Sequence, residues 1–231
     1  MSMAIAGLQK AIGTPADGRW GPASKAALLA HFANRHAPAI ERGDIAAAAA
    51  RIGCSERQIR AFIAVEANGR GYDNAGLPKI LFERHKFHRF TGGRWSPSAF
   101  SQSGYGGYTL DADRDGINDS WEKLSDAVAT GEVEAAFMAC SWGIGQVMGE
   151  WWDELGFASP YAMAWTCTQG EADQLELSLR YLEHFGLQDE LRELTGNPET
   201  CRAFAAAYNG AGYRKNAYHA KLAAAMRDLP G

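Results

Sequence analysis

Apolar residues recur along much of the chain with the period of an amphipathic helix. Ile59, Phe62 and Ile63 fall on one face of a helix whose start is marked by an S-x-x-Q capping pattern at Ser55. Glu66 falls on the same apolar face, in the last predicted turn. A carboxylate there is costly unless it is paired or used. The pattern therefore makes Glu66 the first candidate for chemistry.

The other periodic segments also indicate helices. We predict them over residues 44–52, 132–140, 171–185, 198–207 and 213–229. Asp44 is the predicted N-cap of the alanine-rich helix, and Gly53 is its predicted stop. The stretch 71–108 is rich in glycine, aromatic and turn residues, which favours irregular structure and a short hairpin. The sequence thus predicts an α+β protein that is mainly α.

Composition narrows the class of protein. The chain has 231 residues, of which 46% are hydrophobic, and a net charge of −4. We therefore expect a globular monomer that does not bind nucleic acid and has no membrane span. The first ten residues lack the basic and apolar regions of a signal peptide, so we expect synthesis in the cytoplasm and delivery by another system. The four cysteines show no CxxC spacing, which favours free thiols, although an even number leaves disulfides open.

Glu66 has the position that a general acid needs. Burial and the negative end of the helix dipole both raise the pKa of a carboxyl, and glycosidic cleavage requires a protonated acid near neutral pH. The alternative is a rim carboxylate that reaches solvent at a frayed helix end.

Two later segments could complete a site around this acid. The run 141–149 (SWGIGQVMG) contains three glycines that could let backbone approach a ligand, and Gln146 could bind an acetamido or hydroxyl group. The run 207–210 (AYNG) ends a predicted helix, so Tyr208 could stack on a sugar and Asn209 could present an amide. Each segment alone could equally be a helix cap with a core aromatic.

Taken in order, these segments resemble the N-acetylmuramidase family of phage endolysins and bacterial wall hydrolases, in the lysozyme superfamily. The matching motifs are Val65-Glu66, residues 76–85 (GLPKILFERH), residues 141–149 and residues 207–210. The resemblance covers residues 44–229. It implies a lysozyme-like fold and hydrolysis of the β-1,4 bond between N-acetylmuramic acid and N-acetylglucosamine in peptidoglycan.

The resemblance also implies roles for particular residues. Glu66 would be the catalytic acid, Glu83 a second acidic residue of the site, and Ser141, Gln146, Tyr208 and Asn209 substrate-binding residues. Glu83 could instead be a plain ion-pair partner of Arg84 or Arg89. Two other functions stay open: a lytic transglycosylase, which leaves a 1,6-anhydro end, and a wall-binding protein without activity.

Residues 1–36 are predicted to form a small helical module, joined by a linker at 37–43 to a catalytic domain at 44–231. The pairs Leu8-Gln9, Asp17-Gly18 and Gly21-Pro22 resemble the three-helix peptidoglycan-binding repeat. The unit is short, so its alternative role is to dock as a cap on the catalytic domain.

The segment 111–122 (DADRDGINDSWE) fits the twelve-residue EF-hand loop, with Gly116 at its turn. The predicted calcium ligands are Asp111, Asp113, Asp115, Ile117 through its carbonyl, Asp119 and Glu122. The alternative is a solvated acidic turn. A bound Ca²⁺ would be structural, since glycosidic hydrolysis needs only carboxyls and water.

Overall fold

The computed structural model describes residues 3–67, 70–95, 111 and 114–229, and it is mainly helical. The helices are α1 (Ile5–Ala11), α2 (Pro22–Phe32), α3 (Arg42–Ile52), α4 (Glu56–Ala67), α5 (Arg84–Phe90), α6 (Asp119–Ala129), α7 (Val133–Met138), α8 (Pro160–Thr166), α9 (Glu171–His184), α10 (Gln188–Arg192), α11 (Arg202–Asn209) and α12 (Tyr218–Asp228). The strands are β1 (Ile80–Phe82), β2 (Cys140–Trp142) and β3 (Val147–Met148). The predicted fold class, α+β and mainly α, is confirmed.

Helix α4 begins and packs as its sequence predicts. The Ser55 backbone N–H donates to Gln58 Oε1 at 2.8 Å, and Gln58 N–H donates to Ser55 Oγ at 3.3 Å, which completes the capping box. Ile59 and Phe62 are fully buried in a cluster that includes Leu222 of α12. The capping box and the apolar face together fix the helix that carries Glu66.

Helix α3 forms from the alanine-rich segment and ends at Gly53, where φ is +76°, as predicted. Its N-cap is Glu41 and not Asp44. Asp44 lies three positions later, where its carboxylate accepts from the Glu41 backbone N–H at 2.8 Å. The predicted cap residue is therefore the second partner of a capping box.

The sheet is antiparallel with the order β1-β2-β3. Leu81 pairs with Ser141, and Ser141 pairs with Met148. The Glu83 N–H donates to the Ala139 carbonyl at 2.8 Å, which continues the β1–β2 ladder beyond β1. Since side chains alternate along a strand, Leu81 and Glu83 point to the same face. A β-hairpin lies at residues 140–148. Within 71–108, where the sequence predicts a short hairpin, the described residues contain β1 and an antiparallel bridge between Tyr72 and Pro78, and residues 96–108 lie outside the described residues.

The N-terminal helices share a hydrophobic core with the rest of the chain. Leu8, Leu28 and Phe32 are fully buried in a cluster that includes Trp121 of α6 and Phe137 of α7. The centroid of the Phe32 ring lies 5.1 Å from that of Trp121. This packing favours the docking role over an independent module. The domain boundary at residues 36–44 stays a prediction, and α3 already begins at Arg42 inside the predicted linker.

The four cysteines are free thiols, and three of them are buried. Within the described parts of the chain, no helix has the length and apolar character needed to cross a bilayer.

Candidate active site

Glu66 lies in the last turn of α4 and lines a cavity of about 580 Å³. Gln146 lines the same cavity, together with residues from the segment 70–81 and from the loop that leads into α6. The structure therefore brings Glu66 and Gln146 together, as the sequence predicted. We call this space the Glu66 cavity.

The Glu66 carboxyl is held by the C-terminal helix. The Tyr218 hydroxyl donates a hydrogen bond to Glu66 Oε1. Burial raises the pKa of Glu66 to about 7, while the hydrogen bond from Tyr218 and the charge of Lys221 act in the opposite direction. A carboxyl with this pKa keeps its proton in an appreciable fraction of molecules at neutral pH. It can therefore protonate a leaving oxygen.

Gln146 is fixed in the turn between β2 and β3, with a φ of +49°. Its Oε1 accepts from Ser141 Oγ at 2.9 Å, and its Nε2 donates to the carbonyls of Gly143 at 2.8 Å and Lys79 at 3.3 Å. Both amide hydrogens are thus engaged, so a substrate donor can reach only the remaining lone pair of the oxygen. Ser141 is buried and its hydroxyl positions Gln146, while direct contact of Ser141 with substrate stays a prediction.

The glycines of the 141–149 segment serve internal packing. A Cβ on Gly145 would lie 2.1 Å from Ser178 Oγ of α9, and a Cβ on Gly149 would lie 2.2 Å from the Phe137 carbonyl oxygen of α7. On the Cβ side of both glycines the space is filled by neighbouring helices, and close approach of a ligand to this backbone stays a prediction.

Tyr208 also has an internal role. Its ring lies 5.0 Å from Phe62, 5.2 Å from Tyr181 and 5.4 Å from Phe204, measured between centroids. Its hydroxyl donates to the Gly145 carbonyl at 2.5 Å. The half-buried ring therefore packs on three aromatic side chains, and its hydroxyl holds the hairpin that carries Gln146, while its stacking on a sugar stays a prediction.

Asn209 ends α11 with an exposed side chain. It is not among the described residues that line the Glu66 cavity. Its role in substrate binding stays a prediction.

Glu83 directly follows β1 and is the N-cap of α5. Its carboxylate lies 3.3 Å from His85 Nδ1. Arg89, one of the partners that the sequence offered, pairs instead with Glu150. Glu83 lies two positions after Leu81, which lines the Glu66 cavity, but it is not itself among the described residues of that lining, so its place in the site stays a prediction.

The predicted calcium loop is described only in part, because Asp113 lies outside the described residues. Gly116 has a φ of +86°, and its N–H donates to Asp111 Oδ2 at 3.3 Å, as an EF-hand turn requires. Glu122 forms an ion pair with Lys25. Among the described residues no group of three or more metal-ligating side chains converges, so calcium binding stays a prediction.

The sequence did not indicate Tyr218, Lys221 or the cationic residues Arg70 and Lys79, the last two of which line the Glu66 cavity. Tyr218 and Lys221 lie on α12, and no local pattern connects that helix with α4. Only the packing of the two helices shows that Tyr218 touches the acid.

Two comparisons with known proteins point to the same family as the motifs around Glu66. A family model of the N-acetylmuramidases matches residues 55–229. The crystal structure of the Burkholderia AP3 phage endolysin is similar to this chain with a TM-score of 0.66 and 25% sequence identity, covering 96% of this chain and 94% of that one. No curated protein matches the chain. Because the family model covers well over half of the sequence and includes Glu66, Gln146 and Glu83, the chain belongs to the N-acetylmuramidase family and is a peptidoglycan hydrolase.

Proposed function

We propose that the chain hydrolyses the β-1,4 bond between N-acetylmuramic acid and N-acetylglucosamine, with Glu66 as general acid. The observation that carries this proposal is a carboxyl with a pKa of about 7 that opens into a cavity and is oriented by Tyr218. Glu66 donates its proton to the glycosidic oxygen as the bond from that oxygen to the anomeric carbon breaks. The anomeric carbon then develops oxocarbenium character.

Glu83 is proposed as the base for the second half of the reaction. Water attacks the anomeric carbon while Glu83 accepts one of its protons, which leaves a reducing N-acetylmuramic acid end. The position of Glu83 directly after β1, two residues beyond Leu81 of the cavity lining, supports this role. With Glu83 as this second carboxyl, the reaction is hydrolysis and not the transglycosylase alternative, which needs only one carboxyl.

Gln146 is proposed to accept a hydrogen bond from an acetamido N–H or a sugar hydroxyl through its Oε1. This role follows from its amide hydrogens, which are already donated to Gly143 and Lys79. Cleavage of the wall polymer would cause bacterial lysis. We propose that the chain acts as a monomer on the wall after another system has delivered it there.

Product analysis tests the proposal directly. Purified peptidoglycan is digested and the new chain ends are identified by mass spectrometry. Hydrolysis predicts reducing N-acetylmuramic acid ends, whereas anhydro ends, lighter by one water, would assign a transglycosylase. Glu66→Gln should lose at least about a hundredfold in rate, since general acid catalysis contributes roughly 10²–10⁴-fold. A fully active Glu66→Gln variant would refute the role of Glu66, and an inactive wild type would leave only wall binding.

A further inference from the structure

A second cavity, of about 480 Å³, adjoins the Glu66 cavity. Four residues line both spaces: Arg70, Tyr72, Asp73 and Asn74. The other wall of the second cavity is the segment 34–40, which connects α2 with α3. We call this space the connector cavity.

The two walls of the connector cavity are fastened to each other. The Asn34 N–H donates to the Gly76 carbonyl at 2.8 Å. The buried Glu171 carboxylate accepts from the backbone N–H of Ile40 at 3.0 Å and of Gly71 at 2.7 Å. Glu171 thus uses both of its oxygens to join the walls. The cavity is therefore a built feature of the fold.

Gly76 allows the backbone of Arg35, in the segment 34–40, to pack closely against the wall that contains residues 70–76. Its φ is +82°, and a Cβ at this position would lie 2.9 Å from the Arg35 backbone nitrogen. Only glycine allows this approach without strain. Arg35 is therefore held at the cavity while its side chain stays exposed.

The lining of the connector cavity contains two carboxylates and two arginines. The carboxylates, Asp73 and Glu171, both accept hydrogen bonds from backbone N–H groups, so the arginines are its exposed charges. Arg35 and Arg70 both line the connector cavity with exposed side chains, and neither guanidinium has a hydrogen bond or ion pair with a described residue. Tyr72 is the single aromatic residue among the described lining, and its hydroxyl donates to the Cys167 carbonyl at 2.7 Å. Sugar rings are typically held on aromatic faces, whereas guanidinium groups pair with carboxylates. The lining thus suits a carboxylate ligand better than a further sugar.

We propose that the connector cavity binds the stem peptide of peptidoglycan through its carboxylates, with Arg35 and Arg70 as the contacts. The inference rests on the proposed function, which places the glycan strand in the Glu66 cavity. The stem peptide leaves the strand sideways, from the lactyl group of N-acetylmuramic acid, and it carries free carboxylates. The shared wall at residues 70–74 puts the connector cavity where a peptide from a bound muramic acid can reach it.

Two substrates distinguish recognition of the stem peptide from recognition of the glycan strand. One is glycan strands with intact stem peptides, and the other is the same strands after an amidase has removed the peptides. The wild type is expected to have the higher kcat/KM on peptide-bearing strands. Arg35→Gln should lower that value by about fivefold, as for loss of an exposed ion pair, and Arg35→Glu should lower it further. The ratio of kcat/KM on peptide-bearing strands to kcat/KM on peptide-free strands should therefore fall in both variants.

Lys10 supplies the matched control, because it is exposed and lines neither cavity. Lys10→Gln and Lys10→Glu change the net charge equally and should keep the wild-type ratio. An identical ratio in wild type and both Arg35 variants would overturn the proposal and assign the cavity to glycan or to no ligand. Wild-type inactivity on both substrates would instead be a failure of the proposed function.

Discussion

The hydroxyl of Tyr218 donates a hydrogen bond to Oε1 of Glu66, and the two residues lie on different helices at opposite ends of the muramidase region. Tyr218 is buried, and its pKa is raised well above the usual value by desolvation, so it remains a donor over the working pH range. The hydrogen bond therefore ties the orientation of the catalytic acid to the packing of α12 on α4. It also stabilises the ionised form of the acid.

Tyr218→Phe should therefore shift the pH profile. The wild type loses activity as pH rises through the pKa of Glu66, which is about 7, because the acid must be protonated. Loss of the hydrogen bond raises that pKa further, so the alkaline limb should move to higher pH. A shift of about one unit is expected, since a hydrogen bond to a charged group contributes on the order of 1.5 kcal/mol.

The measurement is kcat/KM against pH, with Tyr213→Phe as the control. Tyr213 is also buried, but its hydroxyl accepts from Arg214 at 3.0 Å. An alkaline limb that stays in place, or moves to lower pH, in Tyr218→Phe would show that Tyr218 does not set the pKa of the acid.

Glu66 should also make stability depend on pH. The folded chain holds a proton on Glu66 up to about pH 7, while the unfolded chain releases it near the usual value of 4.5. The folded state therefore binds more protons in this window, and the free energy of unfolding falls as pH rises through it. The loss is complete above pH 7 and amounts to at most about 3 kcal/mol.

Glu66→Gln removes this pH-dependent loss of stability, because the glutamine side chain does not ionise. The variant should match the wild type in melting temperature near pH 5 and exceed it at pH 8. Glu154→Gln, at an exposed position, controls for the change in net charge. Parallel melting curves for Glu66→Gln and wild type across this range would contradict the raised pKa.

The acid could be found from sequence because its signals are local. The capping pattern at Ser55 and the apolar residues Ile59, Phe62 and Ile63 define the helix and the face on which Glu66 lies. The structure adds a contact between residues that are distant in sequence, which no local pattern predicts. Tyr218 reaches Glu66 only because α12 packs on α4.

The 141–149 segment shows the opposite case. Its glycines predict backbone that a ligand can approach, but in the structure Gly145 faces Ser178 and Gly149 faces the Phe137 carbonyl. A glycine pattern does not distinguish a ligand from a neighbouring helix. The pairing of β1 with β2 was missed for a similar reason, because strands of three residues carry too little periodicity to identify a distant partner.

Glu83→Gln should abolish turnover if Glu83 activates water. A loss of about a hundredfold or more is expected, with little change in melting temperature. His85→Gln is the matched variant, because it removes the side chain that lies 3.3 Å from the Glu83 carboxylate and leaves the carboxylate in place. Near-normal turnover in Glu83→Gln would reduce Glu83 to a partner of His85 at the start of α5.

The acidic loop that leads into α6 gives the last prediction, which concerns one structural Ca²⁺. The turn at Gly116 has the required positive φ, and Asp111 accepts its N–H. Lys25 pairs with Glu122, which is the expected bidentate ligand, so a calcium ion would have to displace this lysine.

EGTA should therefore lower the melting temperature and calcium should restore it, because an ion that binds only the folded state stabilises it by about 2.7 kcal/mol at a hundredfold excess over Kd. Lys25→Gln removes the competing cation and should tighten calcium binding, measured by titration calorimetry. Lys10→Gln, which lowers the charge of the N-terminal helices equally, should not. The prediction is wrong if EGTA leaves the melting curves of both calcium-treated wild type and calcium-treated Lys25→Gln unchanged, since neither protein would then be stabilised by a bound calcium ion.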